Sequence, residues 1–402
     1  MTKINNLVNE CLSCSRPRCE TGCPLDNHIK DYILALKNED LALAASYLYS
    51  QNPFPEMTSL LCDYKRQCRG KCIKGIKGES VLIPSIENYI ALNSERDLNI
   101  DQEIDYKVAI VGSGPAALSL AYFLRKKGAF VTIYEKEKMI GGAVYTGVPS
   151  FRYDKKYLIK IQNDLEKMGI IFNLNYEIKD INSLKDKYND IVLAIGANKD
   201  NEVVPTNNAN ILSGLKFLYD VNVKKKAHLY QSNEYAYIMG GGNVAIDCAR
   251  SLIRIRDKVA LIYRRDKDDM PANEDEIRSA LDEGIEFYLL TDIKEVSEED
   301  GLLQINCCHY YKDGKNEDGR SIIKELANSS FTLKGDLLVT AVGQKRNLDS
   351  FNIEVLLNHE TNDKHVFVVG DAYYGPKNVA AAIKDGRELA SRLIGGRDGI
   401  WY

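Results

Sequence analysis

The sequence predicts an α/β protein in which two similar parallel-sheet units follow a small, mainly helical, cysteine-rich segment. Three observations carry this. A strand, a glycine turn, a helix and a second strand run from Tyr106 as YKVAIVGSGPAALSLAYFLRKKGAFVTIYEK, and strands alternating with helices build parallel sheets. The same order returns 128 residues later, counted from Gly112 to Gly240, as EYAYIMGGGNVAIDCARSLIRIRDKVALIYRR. Seven of the ten cysteines lie before residue 73, in a segment whose only long periodic stretch, DYILALKNEDLALAASYLYS, has helical apolar spacing. The polar, acidic NSERDLNIDQEID that follows it reads as a linker, with a boundary near residue 100.

A chain of 402 residues has room for two or three domains, and 45% hydrophobic with 27% charged residues is a globular composition. The net charge of −4 gives no global attraction to nucleic acid or to an anionic membrane. The first residues lack a basic segment followed by an apolar run, and no 18 consecutive residues are apolar. A cytoplasmic protein without nucleic-acid or membrane partners is therefore expected.

In the first unit Gly112, Gly114 and Ala117 form G-x-G-x-x-A, with Pro115 and Ala116 opening the helix. The first glycine allows the tight turn, the second lets the backbone approach a pyrophosphate, and the small third residue lets helix and strand pack closely. The helix start offers free N–H groups and partial positive charge to phosphates. Glu135, 23 residues after Gly112 and followed by Lys136, stands where a carboxylate binds ribose hydroxyls. In the second unit Gly240, Gly242 and Ala245 repeat the triplet, with Asn243 and Val244 between. The same count of 23 residues reaches Tyr263, and then Arg264 and Arg265. Guanidinium groups there suit the 2′-phosphate of NADPH, although surface arginines would look the same. Two such Rossmann-like units point to a flavoprotein moving hydride between NADPH and FAD. Gly370 and Asp371, in the terminal VVGDA, follow a strand, so the carboxylate suits a flavin ribityl hydroxyl. Asn378, Val379 and Ala380 then start a helix whose positive end suits charge on a reduced flavin ring. Hydride transfer needs no general base, so positioning groups are expected and no catalytic dyad.

The stretches GGAVYTGVPSFRYDK, MGGGNVAIDCAR, YRRDKDDMPA, AVGQ, GDAYYG and VAAAIKDGR together resemble the NADPH-dependent small (β) subunit of glutamate synthase and its relatives. The resemblance spans nearly the whole chain. It implies a discontinuous FAD domain, 105–205 and 335–402, with an NADPH domain, 206–334, inserted. It also implies that Gly142, Gly196 and Gln344 lie near the flavin or the domain junction. Arg346 stands where relatives often carry proline, a departure in that loop.

The cysteines are spaced Cys11-x2-Cys14-x4-Cys19-x3-Cys23-Pro24, then Cys62-x5-Cys68-x3-Cys72. In a reducing compartment such density points to metal or cluster ligation. Thiolates suit iron-sulfur clusters and zinc alike. The resemblance, shared here with the amino-terminal domain of dihydropyrimidine dehydrogenases, implies two 4Fe-4S clusters over residues 1–100. Eight ligands are then needed, and it implies Glu87, in VLIPSIENY, as the eighth. Carried over by position, one cluster takes Cys11, Cys14, Cys19 and Cys72, the other Cys23, Cys62, Cys68 and Glu87. Lys65, Arg66, Arg69, Lys71, Lys74 and Lys77 form an acid-free run that offsets cluster charge or docks an acidic redox partner, unless it is only a solvated face. Cys248, Cys307 and Cys308 are expected to pack rather than ligate. No C-x-x-C precedes the second glycine motif, so disulfide reduction of the thioredoxin reductase type is not expected.

The function expected is electron input: NADPH reduces FAD, and the clusters pass single electrons to another polypeptide in a hetero-oligomer. That partner is expected to be the glutamate synthase large subunit, another iron-sulfur or flavin enzyme, or ferredoxin. The chain leaves no segment for an amidotransferase, so glutamate formation is expected only of a complex. The alternatives are a stand-alone NADPH:acceptor reductase, the diaphorase subunit of another redox complex, and a zinc-binding assembly subunit.

Overall fold

The computed structural model describes residues 2–201, 208–317 and 319–398. It divides into two compact units, one formed by Met1–Tyr145, Ser150–Asn198 and Arg346–Tyr402, the other by Thr146–Pro149 and Lys199–Lys345. The break expected between residues 205 and 206 lies outside the described residues.

The first unit begins with helices Thr2–Asn9, Arg18–Thr21, Ile29–Lys37, Leu41–Gln51, Pro55–Leu61 and Ile83–Asn93. The stretch read from its periodicity as one helix is two. Glu39 takes φ 60°, which ends the first, and the Asp40 carboxylate accepts the Leu43 N–H at 2.8 Å, capping the second. On either side of this break the apolar spacing persists, and Ile29, Tyr32, Ile33 and Leu36 meet Ala44, Ala45 and Leu48 in a core completed by Ile86 and Ile90. Cys11, Cys19, Cys23, Cys68 and Cys72 pack against this core.

The acidic segment read as a linker carries a buried arginine. Arg96 donates to the Pro53 carbonyl at 2.7 Å, and its two terminal nitrogens pair with Glu56 and Asp164. The rings of Tyr49 and Phe54 lie 5.9 and 5.4 Å from the guanidinium. Composition could not reveal this, because one buried charge among many exposed ones leaves the average unchanged.

The rest of the first unit is a parallel sheet in the order Val366–Val368, Asp190–Leu193, Lys107–Val111, Phe130–Tyr134, Ile171–Asn173. Chain order reverses between Asp190–Leu193 and Lys107–Val111. The first glycine turn leaves the sheet at this switch point, where ligand crevices form in open α/β sheets. Helix Pro115–Lys126 packs on helix Val379–Asp398, and a Cβ on Gly386 would stand 2.2 Å from the Ala116 carbonyl oxygen, so the approach needs glycine.

The second unit is a parallel sheet in the order Ile211–Ser213, Leu337–Thr340, Ala236–Met239, Val259–Tyr263, Glu286–Leu289. Helices Gly214–Asn222, Asn243–Leu252 and Glu274–Asp282 accompany it. A four-stranded antiparallel sheet, Thr291–Glu299, Leu302–Lys315, Ser321–Glu325 and Phe331–Gly335, adds to the unit. The alternating residues Leu303, Ile305 and Cys307 of its longest strand bury with Tyr237 and Ile262 of the parallel sheet. Among the described residues no helix is long and apolar enough to cross a membrane.

Candidate cofactor sites

Gly112 holds φ at 101°, and a Cβ there would lie 2.5 Å from the Ala194 carbonyl oxygen of the neighbouring strand. Gly112→Ala is expected to cost about 2 kcal/mol or more, since neither the dihedral nor the backbone contact can relax. An unchanged denaturation midpoint would refute this. Gly114 ends the turn with open space before its α-carbon, and Pro115 occupies the first helical position, where no N–H is needed. The free N–H groups of Ala116 and Ala117 follow, with both side chains buried.

Glu135 is buried, and each oxygen has a partner: Oε2 accepts the Ser113 hydroxyl at 2.6 Å, Oε1 the Glu137 N–H at 2.9 Å. Ser113 also receives the Gly141 N–H, at 2.9 Å on its carbonyl. Gly142 then sits so close that its Cβ would stand 2.9 Å from the Gly114 α-carbon. Gly196, at φ 71°, faces open space, and Lys136 is exposed.

The terminal loop closes on the same turn, a Cβ on Gly370 lying 2.8 Å from the Ala116 methyl. The Asp371 carboxylate accepts the Lys377 N–H at 3.1 Å. Asn378 caps helix Val379–Asp398, its Oδ1 accepting the Ala381 N–H at 2.9 Å. Sequence reading missed Ser113 and Asp385. The Asp385 carboxylate takes the Gly370 N–H at 2.6 Å and faces His359 Nε2 at 3.4 Å, fixing the loop that carries Asp371. Burial pushes the carboxyls of Asp371 and Asp385 above their usual range. Nothing local in VAAAIKDGR marks Asp385, six residues past Val379, as buried.

In the second unit Gly240 takes φ 143°, and its Cβ would meet the Ala341 carbonyl oxygen at 2.3 Å. Gly242 precedes helix Asn243–Leu252, in which Ala245 is buried and Val244 packs on the core. The Asn243 side chain accepts the Asn273 N–H at 2.9 Å. Arg264 is exposed at the strand end, while Arg265 Nε donates to the Ser321 carbonyl at 3.3 Å. Gln344 lies in this unit, where it pairs with Asp200 in a two-stranded ribbon.

The eight proposed metal ligands fall around two cavities. One is lined by Cys11, Cys14, Cys19 and Cys72, with Leu12, Ile29 and Ile83 among its walls. The other is lined by Cys23, Cys62, Cys68 and Glu87, together with Tyr32, Thr58 and Ala380. Burial pushes the Cys19 thiol up to about 12 and Cys23 up to about 11, and holds Cys62 and Cys68 well above the usual range. It lifts Glu87 to about 7 against the hydrogen bonds of Asn52, Thr58 and Asn27. The seven cysteines are half-buried and Glu87 is buried, and among the described residues they form no group of three or more that could hold a single metal ion; a bound metal would let thiols ionise where burial opposes it, as at Cys19, Cys23, Cys62 and Cys68. Asn27, Asn52 and Thr58 all donate to Glu87 Oε1, at 3.2, 2.8 and 3.2 Å, which fixes the carboxylate at the cavity wall. Oε2 takes no hydrogen bond among the described residues.

Of the basic run, Arg66, Lys71 and Lys77 are exposed, whereas Lys74 pairs with Glu10 at 2.8 Å and Arg69 donates to the Ser80 hydroxyl at 2.9 Å. Leu12 and Ile73 are exposed at the first cavity, and Ile76 is exposed nearby in sequence. Cys248, Cys307 and Cys308 are buried free thiols.

Residues 106–386 match the family described as pyridine nucleotide-disulphide oxidoreductase, and residues 2–98 match dihydropyrimidine dehydrogenase domain II, 4Fe-4S cluster. The chain is 30% identical to the putative oxidoreductase AegA of Escherichia coli over 96% of its length, spanning 64% of that protein. It is 27% identical to the glutamate synthase [NADPH] small chain of Azospirillum brasilense over 97% of its length and 88% of that chain. Mycobacterium tuberculosis FprA, solved with NADPH, shares the fold at a TM-score of 0.62 and 20% identity, over 72% of this chain and 84% of its own. The glycine turns, the two parallel sheets and the match over residues 106–386 agree: the chain belongs to the pyridine nucleotide-disulphide oxidoreductase family, with a 4Fe-4S domain before its nucleotide-binding region.

Proposed function

We propose that this chain is the electron-input polypeptide of a cytoplasmic redox complex, using NADPH, FAD and two 4Fe-4S clusters. The observation that supports the reading is the grouping of seven half-buried cysteines and the buried Glu87 around two cavities, one of which is also lined by Ala380 at the start of the C-terminal helix. When bound, FAD takes a hydride from NADPH and gives up the two electrons singly, which suits one-electron clusters. The protein's part is to bind and position. The turn Gly112–Ala117 and Glu135 would hold the FAD pyrophosphate and ribose, while Asp371 and the helix start at Asn378–Ala380 would hold its ribityl chain and ring. Gly196 and Gln344 are assigned to the same nucleotide machinery. Gly240–Ala245 with Arg264 and Arg265 would hold NADPH. We assign the clusters to residues 1–100, FAD to residues from 105 to Asn198 and from Arg346 onward, and NADPH to Lys199–Lys345, the unit whose sheet includes Leu337–Thr340, in place of the expected boundary at 334/335. The acceptor is a larger subunit resembling that of glutamate synthase, or a ferredoxin-like carrier, in a hetero-oligomer.

Anaerobically purified protein is expected to hold about eight irons, four per cluster, and to lose its flavin colour much faster with NADPH than with NADH. Zinc in place of iron would overturn the cluster assignment. Replacing both Arg264 and Arg265 with alanine is expected to lower kcat/KM for NADPH by about 10- to 100-fold, the loss of one or two charge-assisted hydrogen bonds. The NADH rate should barely change; an equal fall with both nucleotides would remove these arginines from 2′-phosphate recognition. A tagged anaerobic pull-down then identifies the acceptor. Copurification of a large amidotransferase subunit supports the glutamate synthase assembly, and another redox enzyme supports a diaphorase role.

A further inference from the structure

Tyr32 lies in helix Ile29–Lys37 with no exposed surface, and lines the cavity of Cys23, Cys62, Cys68 and Glu87. Its hydroxyl is buried without a hydrogen-bond partner among the described residues. A buried hydroxyl left unpaired costs stability, and a phenylalanine of the same shape would fill the site without that cost. The hydroxyl therefore calls for an acceptor, and the cavity that Tyr32 lines is walled by the acid-type groups Cys23, Cys62, Cys68 and Glu87. A phenol hydroxyl is protonated at neutral pH and is thus a donor.

We propose that the Tyr32 hydroxyl donates a hydrogen bond to a sulfur of the cluster held by Cys23, Cys62, Cys68 and Glu87, and so raises that cluster's reduction potential. The inference rests on the two-cluster reading above. Reduction adds negative charge to the cluster, so a donor aimed at its sulfur stabilises the reduced state more than the oxidised one. The other cavity has no such donor from this residue, because Tyr32 is not among its lining residues. Tyr32 thus acts as a positioning residue for charge, and adds to the difference that Glu87 already makes between the two ligand sets.

The test is Tyr32→Phe in the full holoprotein, read by iron content and by redox titration of the two cluster signals. Iron is expected to stay at the wild-type level. One cluster is expected to shift to a more negative potential, its reduced-to-oxidised ratio at fixed potential falling about three- to tenfold, the equivalent of one net hydrogen bond. The other cluster should not move. Unchanged potentials with full iron would overturn the inference while leaving the two-cluster reading intact. Wild-type protein without two clusters would overturn that reading itself. Parallel shifts of both clusters would also overturn the inference, since they would show a general structural effect.

Discussion

Replacing Arg96 with alanine is expected to destabilise the first unit by about 3–5 kcal/mol, the range for breaking a buried ion pair by removing one partner. The side chain has no exposed surface, and its partners come from separate parts of the unit: Glu56 from the helical segment, Asp164 from a helix beside the parallel sheet. Burial alone would pull its pKa down; Glu56 and Asp164 outweigh this and raise it, so the guanidinium remains the cation that both acids need. The two losses are unequal. Asp164 keeps Lys160 at 3.3 Å and Lys167 at 3.4 Å, both toward solvent. Glu56 is 1% exposed, and its other oxygen is already buried without a hydrogen bond among the described residues, so it bears most of the penalty. The double variant Arg96→Met with Glu56→Met should therefore recover much of the stability, because it removes the stranded charge along with its partner. The denaturant midpoint of the single and double variants measures both effects. A wild-type midpoint for Arg96→Ala, or additive losses in the pair, would show that the triad does not bind the unit together.

Arg96 also marks where the sequence stops being readable. The glycine turns were legible because their constraint is local: Gly112 and Gly240 need positive φ and a backbone approach, and only one residue type satisfies both. The break at Glu39 was not, because the apolar period continues through it in phase and the capping Asp40 looks like any helix-surface acid. Arg96, Ser113 and Asp385 escaped for another reason. Each is a polar residue whose partner lies at least 15 positions away, and nothing local distinguishes a buried acid or base from a solvated one. The antiparallel sheet of the second unit was hidden similarly, since its polar outer face, through Lys312 and Lys315, reads as loop. The ligand partition came from resemblance and not from spacing. In the fold Cys72 lines a cavity with the first three cysteines, and Cys23 lines another with Cys62, Cys68 and Glu87.

That partition makes a strong prediction about iron. Cys19→Ala and Cys68→Ala are each expected to halve the iron content, from about eight to about four per chain, and each should abolish a different cluster signal. The two cavities share Ile29 and Ile83 in their walls but no ligand, so the loss of a thiolate on one side leaves four donors on the other. The shared core makes the outcome informative. Cys19 and Cys68 both pack against the same hydrophobic core, and a thiol-to-methyl change there alters volume slightly, so a purely structural effect would be small and alike in both variants. Glu87→Ala belongs to the Cys68 group and should remove the same signal. Glu87→Gln keeps a carbonyl oxygen but loses the charge, and also presents N–H groups to the donors of Asn27, Asn52 and Thr58. It is expected to weaken the same cluster rather than spare it. If instead Cys19→Ala and Glu87→Ala removed the same signal, the ligand sets would cross between the cavities. If any one substitution removed all eight irons, the helical segment would fold around its clusters as one cooperative unit, and the cavities would not be independent binding sites.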